Sequence, residues 1–179
     1  MRKTVCTGIL ICLFPCLVGC SSSSSLYESG MFRGKGLLAR GEYREARDEF
    51  VKASTGLREA APLAFAAVAS YKEHDLASAM RFLREAGALP PDDSFLRIQG
   101  YRSLVLLAQG RKEEGLEALR EYVGFYDSLD PLESIREVEA MAETGPVDLA
   151  ALEGLLDRQI AAYEARVERF MTTGAGFGD

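Results

Sequence analysis

The feature that most constrains this chain is a short pattern that recurs about every 35 residues. Each copy begins at a turn residue, with a small residue five positions later and, in the first three copies, a large apolar residue nine positions later. The turn residues are Gly41, His74, Gly110 and, in a weaker copy, Gly145, and they are spaced by 33, 36 and 35 positions. Repeats of this length are typical of helical hairpins, which must stack because one hairpin cannot bury its own apolar face.

The residues between the turns have the pattern of amphipathic helices. Around the first turn the apolar and small residues recur near helical spacing: Leu37, Leu38, Tyr43, Ala46, Phe50 and Ala53. No window shows the sustained two-residue alternation of a half-buried strand. The segment 90–94 is predicted to end one hairpin and cap the next, and the segment 130–133 has the order of a helix start: an acid, a proline and a capping glutamate. Gly145–Pro146 is predicted to end that helix. The sequence therefore predicts an all-α chain of about eight helices.

The repeated pattern resembles the tetratricopeptide repeat (TPR), a helix–turn–helix unit of about 34 residues. The first copy matches best, and it also has Gly34 at the family's small position in the first helix. The second copy replaces the turn glycine by His74, the third has Lys112 where an apolar residue is usual, and the fourth has Gly154 in place of the large core residue. The resemblance covers roughly residues 27–157. It implies a right-handed α-solenoid of about three to four repeats with a long C-terminal capping helix.

The last predicted helix has a narrow apolar stripe along its length. The stripe is formed by Leu149, Leu152, Leu156, Ile160, Tyr163, Val167 and Phe170. The acidic residues of this helix are assigned to the opposite face: Glu153, Asp157, Glu164 and Glu168. Three interpretations stay open: a helix that caps the solenoid, a coiled-coil dimer seam, and an extension that a partner grips.

The first twenty residues have the features of an export signal. Arg2 and Lys3 precede an apolar run that is too short to span a membrane. The run ends in Leu17-Val18-Gly19-Cys20, which resembles the lipobox of bacterial lipoproteins. In that family the peptide is cleaved before the cysteine, which then carries covalent lipid such as palmitate. The alternative is an ordinary secretory signal that ends near Gly19.

These observations divide the chain into five predicted segments. They are a lipoprotein signal peptide (1–19), the lipidated Cys20 with a flexible serine-rich tether (20–26), TPR-like repeats one to three (27–130), a degenerate fourth helical pair with the long C-terminal helix (131–171) and a flexible tail (172–179).

Cysteine content and charge exclude several classes of function. All four cysteines lie in the first twenty residues, so the mature chain would have only Cys20 and could form neither an internal disulfide nor a cysteine-based metal site. From residue 101 to 179 the net charge is −8, which argues against nucleic acid and against adhesion to anionic lipid. Membrane attachment is therefore expected through the covalent lipid alone.

The sequence contains no convincing catalytic constellation. His74 is the single histidine and lies at a predicted turn, where we expect a structural role because histidine tolerates unusual backbone angles. The acidic pairs Asp92/Asp93 and Glu113/Glu114 lie at predicted helix starts, where acids favour the helix dipole. We therefore predict no enzyme, no metal site and no cofactor other than the lipid on Cys20.

The TPR resemblance implies a binding groove lined by the first helix of each repeat. Carried over by position, this surface contains Met31, Lys35, Leu38, Val68, Tyr71, Lys72, Leu104 and Leu107. Val68 and Leu104 occupy two positions of the family's carboxylate-binding clamp of Lys, Asn and Arg, so that clamp is not evident. The surface is predicted to suit an amphipathic helix or an apolar ligand. Alternatively, these residues pack against the last helix and expose nothing.

The resemblances together imply a membrane-anchored, non-catalytic lipoprotein. It would act as a protein–protein interaction scaffold or adaptor in a bacterial cell-envelope assembly or transport complex. Because Ser21 rather than an aspartate follows Cys20, enterobacterial-type sorting would place it in the outer membrane, facing the periplasm. The alternative function is a periplasmic module that binds a small hydrophobic ligand between the helical repeats.

Overall fold

The computed structural model describes residues 18–128, 136–144 and 147–173, and within these ranges it contains eight helices and no strand. This confirms the predicted all-α, TPR-like class. The helices are α1 (Val18–Ala39), α2 (Tyr43–Ser54), α3 (Ala60–Lys72), α4 (Leu76–Gly87), α5 (Phe95–Ala108), α6 (Lys112–Ser128), α7 (Arg136–Thr144) and α8 (Leu149–Thr173). None of these eight helices is both long and apolar enough to cross a membrane.

Three hairpins, α1/α2, α3/α4 and α5/α6, form around the predicted turn residues. Gly41, His74 and Gly110 have φ angles of 78°, 62° and 76°, in the left-handed region that most side chains avoid. The predicted structural role of His74 is confirmed by its backbone. Directly after it, the Asp75 carboxylate accepts a hydrogen bond from the Ser78 amide (3.0 Å) and caps α4.

Small residues let the two helices of each hairpin approach closely. A Cβ atom added at Gly34 would lie 2.5 Å from the ring of Phe50, and one added at Gly115 would lie 2.6 Å from Cγ of Leu107. In the second hairpin the corresponding small residues, Ala67 and Ala79, are fully buried. The predicted small and large residues therefore lie at the contact between the two helices of each hairpin.

The hairpins are joined to one another by aromatic packing and by one shared aspartate. The rings of Phe50 and Phe65 stack 5.2 Å apart between the first and second hairpins. The Asp92 carboxylate accepts hydrogen bonds from the amides of Ala60 (3.0 Å) and Ser94 (2.9 Å). Asp92 therefore fixes the turn that leads into the N-cap residue of α5, Ser94, and its other oxygen accepts from the first amides of α3, one hairpin earlier.

The start of α1 differs from the predicted flexible tether. Helix α1 begins at Val18 and continues through the serine stretch. A Cβ atom at Gly56 would lie 2.5 Å from the Ser23 carbonyl oxygen, so the backbone of Ser23 lies against the end of α2. This contact explains why residues from Ser23 onward join the helical hairpin. The predicted signal peptide lies outside the described residues, apart from Val18 and Gly19.

The fourth copy departs from the hairpin pattern. Helix α8 makes more extensive contact with α5 than with α7, so the last two helices do not form a tight pair. The predicted helix start at 130–133 and the predicted turn at 145–146 lie outside the described residues. Thr172 and Thr173, which were assigned to the flexible tail, belong to α8, and residues 174–179 are not described.

Candidate functional site

The first helices of the three hairpins, α1, α3 and α5, lie side by side, and we call their common face the groove. The Nζ atom of Lys35 lies 4.9 Å from the centre of the Phe65 ring, which joins α1 to α3. The rings of Tyr71 and Tyr101 meet edge to face at 5.6 Å, which joins α3 to α5. Helix α8 runs along this face, antiparallel to α3 and α5, and covers the part of the groove that these two helices form.

Apolar side chains of α8 form the buried centre of this contact. Leu152, Leu156 and Ile160 are spaced one helical turn apart and are at most 1% exposed. Leu156 and Ile160 lie over Gly100 of α5, where an added methyl group would be 3.6 Å from Leu156 and 3.5 Å from Ile160. The groove therefore binds one face of an amphipathic helix from its own chain.

A polar cluster fixes the first half of α8. The Lys72 ammonium donates hydrogen bonds to Glu153 and to Asp157 (3.1 Å for the second). The Tyr101 hydroxyl donates to Asp157 at 2.6 Å. Burial opposes the charge of Lys72, but its two carboxylate partners outweigh this effect and raise its pKa. Burial, together with the charge and hydrogen bond of Asp157, raises the pKa of Tyr101 well above its usual value.

A second polar contact fixes the C-terminal half of α8. The Arg97 guanidinium donates to both carboxylate oxygens of Glu164, at 2.7 and 2.8 Å, and stacks 4.0 Å over the Phe65 ring. Only 9% of the Arg97 side chain is exposed. Nearby, the buried Tyr122 hydroxyl donates to the Gln159 side chain at 2.9 Å. A planar, two-pronged pair of this kind constrains orientation as well as adding binding energy.

The predicted assignment of the acidic residues to the outer face of the last helix is wrong for three of them. Glu153, Asp157 and Glu164 all contact the groove. They are attracted by Lys72 and Arg97, two cations that the pattern of α8 alone could not reveal. Lys72 and Tyr101 thus place α8 over the part of the groove formed by α3 and α5, whereas the part formed by α1 stays open.

The predicted groove residues of α3 and α5 lie mostly beneath α8. Val68 and Leu104 are at most 1% exposed and belong to the core. Tyr71 packs on Tyr101, and Lys72 bonds α8. The predicted placement of Leu107 in the groove is corrected, because its side chain contacts α6 at Gly115 and so belongs to the seam of its own hairpin.

The predicted groove residues of α1 border an open cleft. The cleft has a volume of about 480 Å³ and lies between α1, α3, the start of α5 and the C-terminal half of α8. Met31 and Lys35 line it, whereas Leu38 is half-buried and packs against the core. The whole lining consists of Tyr27, Met31, Lys35, Ala61, Phe65, Asp93, Ser94, Ala161, Glu164, Ala165, Val167 and Glu168. The groove is therefore closed over its second and third hairpins and open at the first.

Sequence reasoning missed two residues that organise the site. Arg97 lies seven positions before Leu104, on the same face of α5, and this helical spacing could have revealed it. Phe65 lies three positions before the predicted groove residue Val68, and nothing in the sequence indicates that its ring would receive two cations. Both follow from contacts between different hairpins.

A second cleft of about 500 Å³ lies where the hairpin turns meet the start of α8. Tyr43, Tyr71 and the exposed His74 line it together with Leu149. Burial, followed by the nearby Glu153 charge, raises the pKa of Tyr71 to about 12. The charged groups here, Lys72 and Glu153, bond each other, so this cleft offers a polar and aromatic surface rather than an acid–base pair.

Comparison with known proteins adds only a likeness of fold. No family model and no curated protein matches the chain. Among solved structures, the TPR domain of Sgt2 from Aspergillus fumigatus is similar, with 16% sequence identity and a TM-score of 0.49. The similarity covers 88% of this chain and 87% of that one.

Proposed function

We propose that this chain is a non-catalytic adaptor that binds other proteins through the open part of its groove and is held at the bacterial cell envelope by lipid on Cys20. Protein binding is supported by one observation above all: the groove already holds an amphipathic helix, α8, through an apolar centre and ion pairs at Lys72 and Arg97. Recognition of a helix in an apolar groove is a recurring mode of protein–protein binding.

The envelope part of the proposal is supported by the sequence. The positive start, the short apolar run and the ending Leu17-Val18-Gly19-Cys20 resemble a lipoprotein signal. The resemblance implies that Cys20 carries more than one acyl chain. A single chain would bind a membrane only marginally, so it is this multiple acylation that would anchor the protein stably. The same resemblance leads us to propose the outer membrane, facing the periplasm, and a role in an assembly or transport complex.

Lipidation is tested with labelled palmitate in a bacterial host that processes lipoproteins. The full-length chain is expected to incorporate label and to fractionate with membranes. The matched Cys20→Ser variant is expected to lose both properties. Equal labelling of the two chains, or labelling of neither, would reject the anchor without affecting the groove.

Partner binding is tested by crosslinking the tagged full-length chain in cells and identifying the captured proteins. We expect at least one reproducible envelope protein whose capture drops when the cleft lining is changed by Val167→Lys, but persists with Glu117→Lys on the outer side of α6. The absence of a reproducible partner across growth conditions would reject the adaptor.

The second candidate function is the binding of a small hydrophobic ligand. The open cleft favours it, because about 480 Å³ lies within the range of small-molecule sites, about 300–1,000 Å³. Native mass spectrometry of the purified domain separates the two functions. A co-purifying small mass would support the ligand module, and a clean mass of the chain alone would support the adaptor.

A further inference from the structure

The open cleft is the part of the groove that α8 leaves uncovered, and it combines an apolar floor with an acidic rim. Its floor consists of the partly exposed Val167 and the narrow exposed edges of Met31 and Phe65, which are 9% and 7% exposed; the three residues come from three different helices. The Phe65 ring is already engaged by Lys35 at 4.9 Å and by Arg97 at 4.0 Å. Arg97 is in turn neutralised by Glu164.

The rim has an excess of negative charge that the rest of the described chain does not neutralise. Asp93 and Glu168 both line the cleft and are exposed, and neither forms an ion pair with another described residue. Lys35 is the one cation in the lining. One unpaired acid lies in the segment before α5 and the other on α8, and together they make the cleft complementary to positive charge.

The pKa values of two tyrosines at this end of the groove are raised by burial and, to a smaller extent, by the charge of Asp93. Burial comes first among the causes that raise the pKa of Tyr27, and the neighbouring Glu59 carboxylate and the charge of Asp93 add to it. The pKa of Tyr163 on α8 is also raised, by burial and then by the charges of Asp93 and Glu164. In both cases nearby carboxylates disfavour a further negative charge.

From this geometry we infer that the cleft binds a peptide segment of a partner protein. One apolar side chain of the segment would lie on Met31, Phe65 and Val167. Flanking Lys or Arg residues of the segment would lie against Asp93 and Glu168. The inference rests on the proposed adaptor function and names the chemistry of its partner. Because α8 supplies one wall, the peptide contacts α1 and α8 together, and the segment does not need to displace α8.

The test begins with selection of a random twelve-residue peptide library on the purified full-length chain. We expect the enriched peptides to share an apolar anchor flanked by at least two basic residues. The charge-reversed variant Asp93→Lys/Glu168→Lys should fail to enrich these peptides, because both positions are exposed and lie on the rim. The matched control, Glu117→Lys/Glu121→Lys, makes the same change in net charge on exposed positions of α6 and should enrich them normally.

Affinity is then measured with the most enriched peptide. The chain contains no tryptophan, so a single Trp at the anchor position of the peptide reports its own burial by a blue-shifted emission. Reversal of both rim charges should weaken binding about tenfold, and raising the salt to ~300 mM should weaken binding to the wild type more than to the reversed variant.

Several outcomes would overturn the inference. They are no enrichment, enrichment of acidic or purely apolar peptides, and equal affinity for the wild type and the rim-reversed variant. A bound small hydrophobic molecule that excludes the peptide would assign the cleft to a ligand instead. In cells, partners that persist with the rim-reversed chain would reject this inference and leave the adaptor intact, whereas a lack of any partner would reject the adaptor itself.

Discussion

The seams inside the hairpins and the seam between α8 and the groove are built on different principles. Inside the hairpins, glycines such as Gly34 and Gly115 bring the helices so close that an added methyl group would overlap the partner. At α8, Gly100 leaves room for a methyl group at ordinary contact distance, and orientation is fixed by Lys72 and Arg97 paired to carboxylates. The hairpins are thus specified by shape, and the position of α8 by charge and shape together.

The largest expected effect tests the tightness of the hairpin seam. Gly34→Ala should lower the free energy of unfolding by about 2 kcal/mol, since the new methyl group would overlap the fully buried Phe50 ring. Urea unfolding followed by circular dichroism measures the change. The control is Gly36→Ala in the same helix, where the nearest atom would be 3.6 Å away, and it should stabilise by about 0.5–1 kcal/mol. Losses of similar size in both variants would show that the seam is not the cause.

The next effect tests whether charge positions α8. A double-mutant cycle with Arg97→Met and Glu164→Gln should give a coupling energy of about 1.5 kcal/mol, because the pair is mostly buried and doubly hydrogen-bonded. The same cycle at the exposed pair Arg102–Glu121 should give less than about 0.5 kcal/mol. Equal couplings at the two sites would contradict the proposed difference between the seams.

A smaller effect is expected from alkaline pH. The pKa of Tyr71 is about 12 in the folded chain and that of Lys72 is raised, so both groups hold their protons longer folded than unfolded. Their contribution to stability is complete below the unfolded values near pH 10 and is lost as pH rises toward about 12. The thermal unfolding midpoint should therefore decrease as the pH is raised above about 10. The midpoint of the Tyr71→Phe/Lys72→Met variant should decrease less over the same pH range. An unchanged slope in that variant would contradict the assignment.

The smallest expected effect uses Gly100, where α8 crosses α5. Gly100→Ala should raise the free energy of unfolding by about 0.5–1 kcal/mol, because alanine favours the helix and its methyl group would be in ordinary contact with Tyr122 of α6 and with Leu156 and Ile160 of α8. Urea unfolding gives the value. A destabilised variant would show that Gly100 is packed against α6 and α8 as tightly as Gly34 is packed against α2.

The hairpins could be predicted from the sequence because their determinants are local. His74 replaces glycine at a turn, yet the spacing alone placed it there, and its φ of 62° agrees. Leu107 was misassigned because a helix has two adjacent apolar faces in this fold, one toward the groove and one toward the hairpin partner. The small residue Gly115 was recognised, but the side chain that it accommodates was not.

The position of α8 could not be predicted because it depends on pairs far apart in the chain. Glu164 pairs with Arg97, 67 positions away, and Lys72 pairs with Asp157, 85 positions away. An amphipathic pattern shows which residues of a helix are apolar, but it does not show which cationic side chains of other helices will pair with its acidic residues. The shape of the cleft could not be predicted for the same reason, since its walls come from α1, α3, the segment before α5, and α8.

The unbroken course of α1 has a consequence for geometry at a bilayer. Cys20 lies in the first turn of the helix whose later turns contain Tyr27, Met31 and Lys35. At 1.5 Å per residue these side chains follow Cys20 by only about 10–22 Å along the axis. If Cys20 carries lipid as proposed, α1 would connect the lipid to the cleft as a rigid helix rather than as a flexible linker. Any protein that binds in the cleft would then have to present its segment within a few nanometres of the membrane surface.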